Sequence, residues 1–436
     1  MVWCYAFNHD EAILCFERAL EFDEDLAIAR WGIAYAVGPN YNKGWDAFDP
    51  VDLAQSLSRA RAELAQASQG RASACERALI AALARRFAAD DPDDEDALLA
   101  GHRAYADAMT QVAQSYPDDV DVAALTADAL MNVTAWALWD SRTGEPAPGS
   151  RVVEAKQILD TALATVAGRA HPGILHLYLH AMEMSTTPEV ALPAADLLRG
   201  LVPDAGHLAH MPSHIDVLCG NYRDSVVANL AAVRADRRFV ERSGPLNFYS
   251  LYRAHNLHFI VYSAMFEGNS SVAMQAADEL AGQLTPELLA IESPPMADWL
   301  EAFVPLRIHV LVRFGRWEDL IATASPADPR LYCTTAATIH YGRGVAYAAT
   351  GRLSEAEQER EAFSAAYDRI PESRYLFNNT SRDILAVAAA MLDGEIDYRA
   401  GRFDQAFTHL RRAVELDDTL PYDEPWGWMQ PTRHAY

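Results

Sequence analysis

Residues Arg399 to Asp418 read RAGRFDQAFTHLRRAVELDD. A glycine and an aromatic open the stretch, and an amphipathic run with small residues at Ala406 and Ala413 follows. CGNYRDSVVANLAAVRAD, Cys219 to Asp236, has the same cadence, with Ser225 and Ala232 in the small places. FNHDEAILCFERALEFD, Phe7 to Asp23, repeats it with Ala12 and Ala19. FGRWEDLIATA after Phe314 and TGRLSEAEQEREAF after Thr350 are further copies. The glycine permits a left-handed helix terminus, and the small residues let two helices approach closely. Each copy therefore predicts the turn and second helix of a helix–turn–helix unit. In the first copy the turn arrives by Asn8, so most of the preceding helix is missing. No strand or β-hairpin signal stands out, and the predicted fold class is all-α.

These units resemble the tetratricopeptide repeat, a helix–turn–helix of roughly 34 residues. The turn glycines Gly220, Gly268, Gly315, Gly351 and Gly401 are spaced by 48, 47, 36 and 50 residues, so most repeats carry insertions. The resemblance implies a degenerate α-hairpin superhelix, or solenoid. Two stretches are loop-like, Gly38 to Asp52 (GPNYNKGWDAFDPVD) and Trp139 to Ser150 (WDSRTGEPAPGS). The second suggests a break between helical blocks, giving an N-terminal block 1–150, a central block 151–300 and a C-terminal block 301–436.

The chain has 436 residues, half of them hydrophobic, with a net charge of -25. A nucleic-acid binder needs a basic surface, and an anionic membrane would repel this one. The acidity is spread along the chain, apart from DDPDDEDA near Asp90, and reads as a solvated exterior. Five widely spaced cysteines without a CxxC pair argue for reduced thiols and a cytoplasmic location. No apolar run reaches the roughly 18 residues of a membrane span. The N-terminus lacks a basic, signal-like opening. The expected partner is a small molecule, and the sequence leaves the oligomeric state open.

Eight of the 14 histidines fall between His171 and His258. In HPGILHLYLHAMEMS, His176, His180 and Glu183 share one stripe of a helix that Pro172 would open. In GHLAHMPSHI, His207, His210 and His214 share another, provided the helix persists through Pro212. His255 and His258 are three apart in LYRAHNLHF. Aligned on the turn glycines, and for His176 and His180 on Ala191 as the small residue of the second helix, these histidines recur at equivalent places of the first helices, and His309 joins them. In the tetratricopeptide fold those places line the concave groove. Neutral imidazole is the commonest metal ligand, and seven histidines with one glutamate exceed the four ligands of a single tetrahedral zinc. They suit two or three divalent ions, with Zn, Co, Cu, Ni and Fe all compatible.

His9 and His171 stand at helix starts, where a terminus contact is the simpler role and an added ligand the alternative. Tyr178, Tyr252 and Asn256 interleave with the ligands and offer either packing or contact with substrate. His102, His409 and His434 read as ordinary surface or core histidines. A hydrogen-bonded or pH-sensing histidine cluster is the alternative to a metal site. The zinc-protease HExxH pattern is absent, as are a Walker loop and a GxSxG elbow.

FNHDEA, HPGILHLYLHAMEMS, AGHLAHMPSHI and AHNLHF together resemble a bacterial group of tetratricopeptide-like metalloproteins over nearly the full length. One branch of that group is similar to a nitrile hydratase type with a three-metal centre in a helical-repeat fold. The resemblance implies conversion of a nitrile to its amide by metal-activated water, on a substrate as large as a natural product. The cysteine claw of the better-known cobalt and iron nitrile hydratases is missing. Two other functions stay open, a metallohydrolase of amides, esters or phosphoesters and a non-catalytic interaction scaffold.

Overall fold

The computed structural model describes residues 1–89 and 94–436, so part of the acidic run near Asp90 lies outside the described residues. The described chain is mostly helical, and no helix is long and apolar enough to cross a membrane. Its contacts form two compact units. Unit 1 is Met1–Asn221 with Arg234–Arg238, and unit 2 is Tyr222–Val233 with Phe239–Tyr436. This division is coarser than the three blocks suggested by the loop-like stretches.

The repeated turn is built as its glycines require. Gly220, Gly268, Gly315, Gly351 and Gly401 all have left-handed φ, between 63° and 80°. In each turn the next amide reaches back five residues, as Arg402 N does to Asp397 O at 2.9 Å and Asn269 N to Ala264 O at 2.8 Å. This bond satisfies a helix-end carbonyl that would otherwise be orphaned. The small places are buried at Ser225, Ala232, Ala406 and Ala413, and the Ser225 hydroxyl meets that of Ser263 at 2.7 Å.

The first turn has the same bond, Asn8 N to Trp3 O at 3.0 Å, but the glycine place is held by Phe7 at φ 53°. The preceding helix is only Val2–Tyr5, as the early turn predicts. Asn8 then caps His9–Phe22, accepting from Glu11 N.

Unit 1 is organised about Pro172–Glu183. That helix packs on Val120–Met131, Val152–Leu163, Leu192–Leu198, Pro212–Leu218 and Val2–Tyr5. Pro172 occupies its first turn and His171 caps it. From Gly173 to Glu183 every residue is buried, so the helix is enclosed on all sides. Unit 2 contains successive helix pairs. Ser250–Glu267 pairs with Ser270–Gln283, Cys333–Ala349 with Leu353–Tyr367, and Ser381–Arg399 with Phe403–Asp417.

One element departs from the sequence expectation. Tyr375–Leu376 and Asn379–Thr380 form a minimal antiparallel hairpin in register Tyr375 to Thr380. Each strand has only two residues, too short for an alternation signal, and the turn holds Phe377 at φ 49°.

Candidate metal centre

Two helical segments of unit 1 place the central histidines. Pro172–Glu183 aims His176, His180 and Glu183 along one stripe, as i, i+4 and i+7 spacing requires. The other segment runs through Pro212 as two short helices, Gly206–His210 and Pro212–Leu218, joined by Met211 in helical conformation. His214 N reaches Met211 O, one residue short of α-helical spacing, and the Ser213 hydroxyl donates to the His210 carbonyl at 2.7 Å. The course stays helical despite the proline, and His207, His210 and His214 remain on one side.

All five imidazoles and the carboxylate are buried at 1% exposure or less. The Nδ1 atoms of His176, His180, His210 and His214 face hydrogen-bonding oxygens. His176 Nδ1 donates to the Tyr5 carbonyl at 2.6 Å. Glu183 spans two rings, accepting from His180 Nδ1 and from His214 Nδ1, both at 2.9 Å. His210 Nδ1 lies 3.3 Å from the Ser213 hydroxyl oxygen, whose own proton is given to a carbonyl. With Nδ1 carrying the proton, Nε2 of each of these four rings presents a lone pair.

Two pairs of Nε2 atoms meet. His207 Nε2 lies 3.2 Å from His176 Nε2, and His210 Nε2 lies 2.7 Å from His214 Nε2. Neighbouring ligand atoms on a tetrahedral ion with bonds of about 2.0–2.1 Å stand about 3.3 Å apart. In the His210–His214 pair the two lone pairs face each other and repel unless a cation lies between them, whereas a neutral His207 can donate from Nε2 to His176. The triads His176–His180–His207 and His180–Glu183–His214 each bring a ligand atom of every member within 4.8 Å, and such buried triads could hold metal ions. Burial holds the His176 and His207 imidazoles well below the ordinary histidine range, and the charge of neighbouring imidazoles adds to the effect. Both are therefore neutral at pH 7, the form that binds metal.

Aromatic rings enclose this cluster. Phe7 stands 4.5 Å from the His176 ring, 5.4 Å from His207 and 5.9 Å from His180. Tyr41 lies 4.6 Å from His180 and Trp136 6.1 Å. The signal for Phe7 is present in FNHDEA, where a phenylalanine replaces the turn glycine. Tyr41 and Trp136 come from the loop-like stretch and a distant helix end, and nothing in their spacing predicts them.

The other sequence candidates have different surroundings. His171 Nδ1 accepts from Ile174 N, and its Nε2 lies 3.1 Å from Asp121, which makes it a helix cap with an ionic partner. His9 Nδ1 donates to the Ala36 carbonyl at 2.8 Å. Tyr178 faces Lys156 and Asp160 on the neighbouring helix, an outward packing role.

His255, His258, Tyr252, Asn256 and His309 belong to unit 2 and are all buried. The His255 ring packs on Phe259 and Phe377 at 4.9 and 4.6 Å. His258 Nε2 meets the Met429 sulfur at 2.9 Å, a contact the sequence did not suggest. Tyr252 stacks on Tyr249, and His309 packs on Trp428.

No protein-family model matches the chain, and no curated protein matches it.

Proposed function

We propose that the chain is a degenerate tetratricopeptide-like superhelix and a metal-dependent nitrile hydratase, taking a small-molecule nitrile to its amide. The central ligands are His176, His180, His207, His210 and His214, with Glu183 orienting two of them. Two or three divalent ions fit this number of donors, zinc first among them because the reaction needs no redox change. The observation that supports the reading is the 2.7 Å approach of the His210 and His214 Nε2 lone pairs while their Nδ1 atoms face the Ser213 hydroxyl oxygen and Glu183, with His207 and His176 Nε2 3.2 Å apart beside them.

A bound divalent ion polarises a nitrile and makes water acidic enough to attack near neutral pH. The chain's own residues set the conditions. Glu183 fixes two rings in one tautomer and raises their basicity, the usual work of a carboxylate behind a ligating histidine. Phe7, Tyr41 and Trp136 keep bulk water from the rings and offer an apolar surface to the organic part of a substrate. The sum is RCN plus water giving RCONH2, with no oxidant consumed.

Metal-loaded protein is expected to form amide from an aromatic or natural-product nitrile, followed by mass spectrometry. Turnover of esters or phosphoesters with no amide from any nitrile would replace the reaction with metallohydrolysis. Metal that dialyses away freely, with no turnover at all, would leave an interaction scaffold.

A further inference from the structure

Outside the histidine cluster, unit 1 buries a guanidinium against the loop-like stretch Gly38 to Asp52. Arg86 follows the Ala74–Leu83 helix and is 0% exposed. Its Nη1 donates to the Pro39 carbonyl at 3.2 Å. Its Nε and Nη2, which share one edge of the guanidinium, have no partner. Its Cζ lies 4.3 Å from the centre of the Tyr105 ring. No carboxylate of the described residues pairs with it. Asp128, the acid whose charge it feels, is instead engaged by the Tyr35 hydroxyl at 2.8 Å and Asn132 Nδ2 at 2.9 Å.

Three more buried polar groups nearby lack partners, namely Tyr105 OH, His102 Nδ1 and Trp45 Nε1. His102 and Tyr105 are one turn apart on Glu95–Ser115, and the Trp45 ring is 5.7 Å from the His102 ring. The phenol and the indole are donors, and the imidazole can be one. A charge taken out of water without a counter-charge is strongly unfavourable, and native interiors pair it. The Nε–Nη2 edge is a two-donor fork that matches two oxygens of an oxyanion. The cluster holds a single positive charge, since burial and the Arg86 charge keep His102 neutral. A two-oxygen monoanion balances it, and a dianion does not.

We propose that Arg86, with Tyr105, His102 and Trp45, forms a buried binding site for a small organic monocarboxylate, gripped at two oxygens by the Nε–Nη2 edge. The site does not depend on the proposed reaction. It adjoins the histidine cluster in one respect. Tyr41, two residues from the Pro39 carbonyl that holds Arg86, packs on the His180 ring.

The test uses the full metal-free chain, purified without carboxylate or phosphate buffers. Mass spectrometry of the denatured supernatant reports any acid carried through purification. Calorimetry and thermal shift then compare acetate and benzoate with chloride and inorganic phosphate at equal ionic strength. A carried monocarboxylate, or saturable binding of one acetate or benzoate per chain with a raised Tm, is expected. Arg86→Gln should weaken binding at least 100-fold. If Arg86→Gln does not fold, Tyr105→Phe decides, with about tenfold weaker binding expected from one lost hydrogen bond. Absence of both carried and added carboxylate, preference for phosphate or chloride, or unchanged affinity in Tyr105→Phe and Arg86→Gln would overturn the proposal.

Discussion

Two glutamates, one in each unit, are almost fully buried and do opposite work. Glu301 in unit 2 accepts from Thr334 N, Thr335 N and the Thr335 hydroxyl at 2.6–3.1 Å, with Arg374 beside it. Its charge is spent on the N-terminus of Cys333–Ala349, where backbone amides and the helix dipole favour an anion. Glu183 in unit 1 instead faces Nδ1 of two imidazoles, His180 and His214, and the His214 Nε2 points at the His210 ring. A buried carboxylate aimed at amides fixes a fold, and one aimed at histidine rings fixes their tautomers. Burial alone does not separate the two; the partners do.

The contrast breaks if the two glutamates prove interchangeable in effect. Glu301→Ala leaves the Thr334 and Thr335 amides and the Thr335 hydroxyl without their acceptor and should cost about 3–5 kcal/mol of stability, read by chemical denaturation, with metal content unchanged. Buried histidines give the next effect. Burial lowers His9 and His309 from 6.5 to about 4 and His258 to about 3, so the folded state keeps them neutral while the unfolded chain protonates them. Their contribution is complete above about pH 6.5 and is lost as pH falls towards 4, on the order of 3 kcal/mol each. The Tm of the metal-free protein should therefore drop steeply below pH 6. A flat profile would contradict neutral, buried rings.

Glu183→Gln retains volume and one acceptor, so the fold should persist. Metal affinity should fall about 10–100-fold, as for other partners of ligating histidines, measured by competition with a chelator. The turns provide the smallest effect. Nothing lies within 4 Å of a Cβ built on Gly351, so Gly351→Ala pays only left-handed strain, about 1 kcal/mol, with metal affinity unaltered. Phe7 accepts the same backbone strain and, unlike glycine, sets a ring on three histidines. Phe7→Gly should therefore alter metal affinity, where Gly351→Ala does not.

Much of this was legible in the chain. Five glycines announced left-handed turns, Pro172 announced a helix start, and the i, i+3 and i+4 spacing placed the imidazoles of each helix on one stripe. These are local properties, set by residues within a turn or two. The histidine-bearing segment survived Pro212 because Met211 stays helical and Ser213 takes up a freed carbonyl, which a proline rule alone does not reveal. The role of Glu183 was not legible, since its second partner, His214, is 31 residues away. His171 had the same composition signal as the clustered histidines, yet its place at a helix start made it a cap. Arg86 lay in a stretch without any motif, and only burial exposes its unmatched edge.

The metal content of the purified full chain, against that of His180→Ala, tests the central claim most directly. The account predicts roughly one or more tightly held divalent ions per chain that survive dialysis, lost in a folded His180→Ala variant. A wild-type chain that stays metal-free after exposure to zinc, cobalt, copper, nickel and iron, or a variant that retains the full complement, would contradict it.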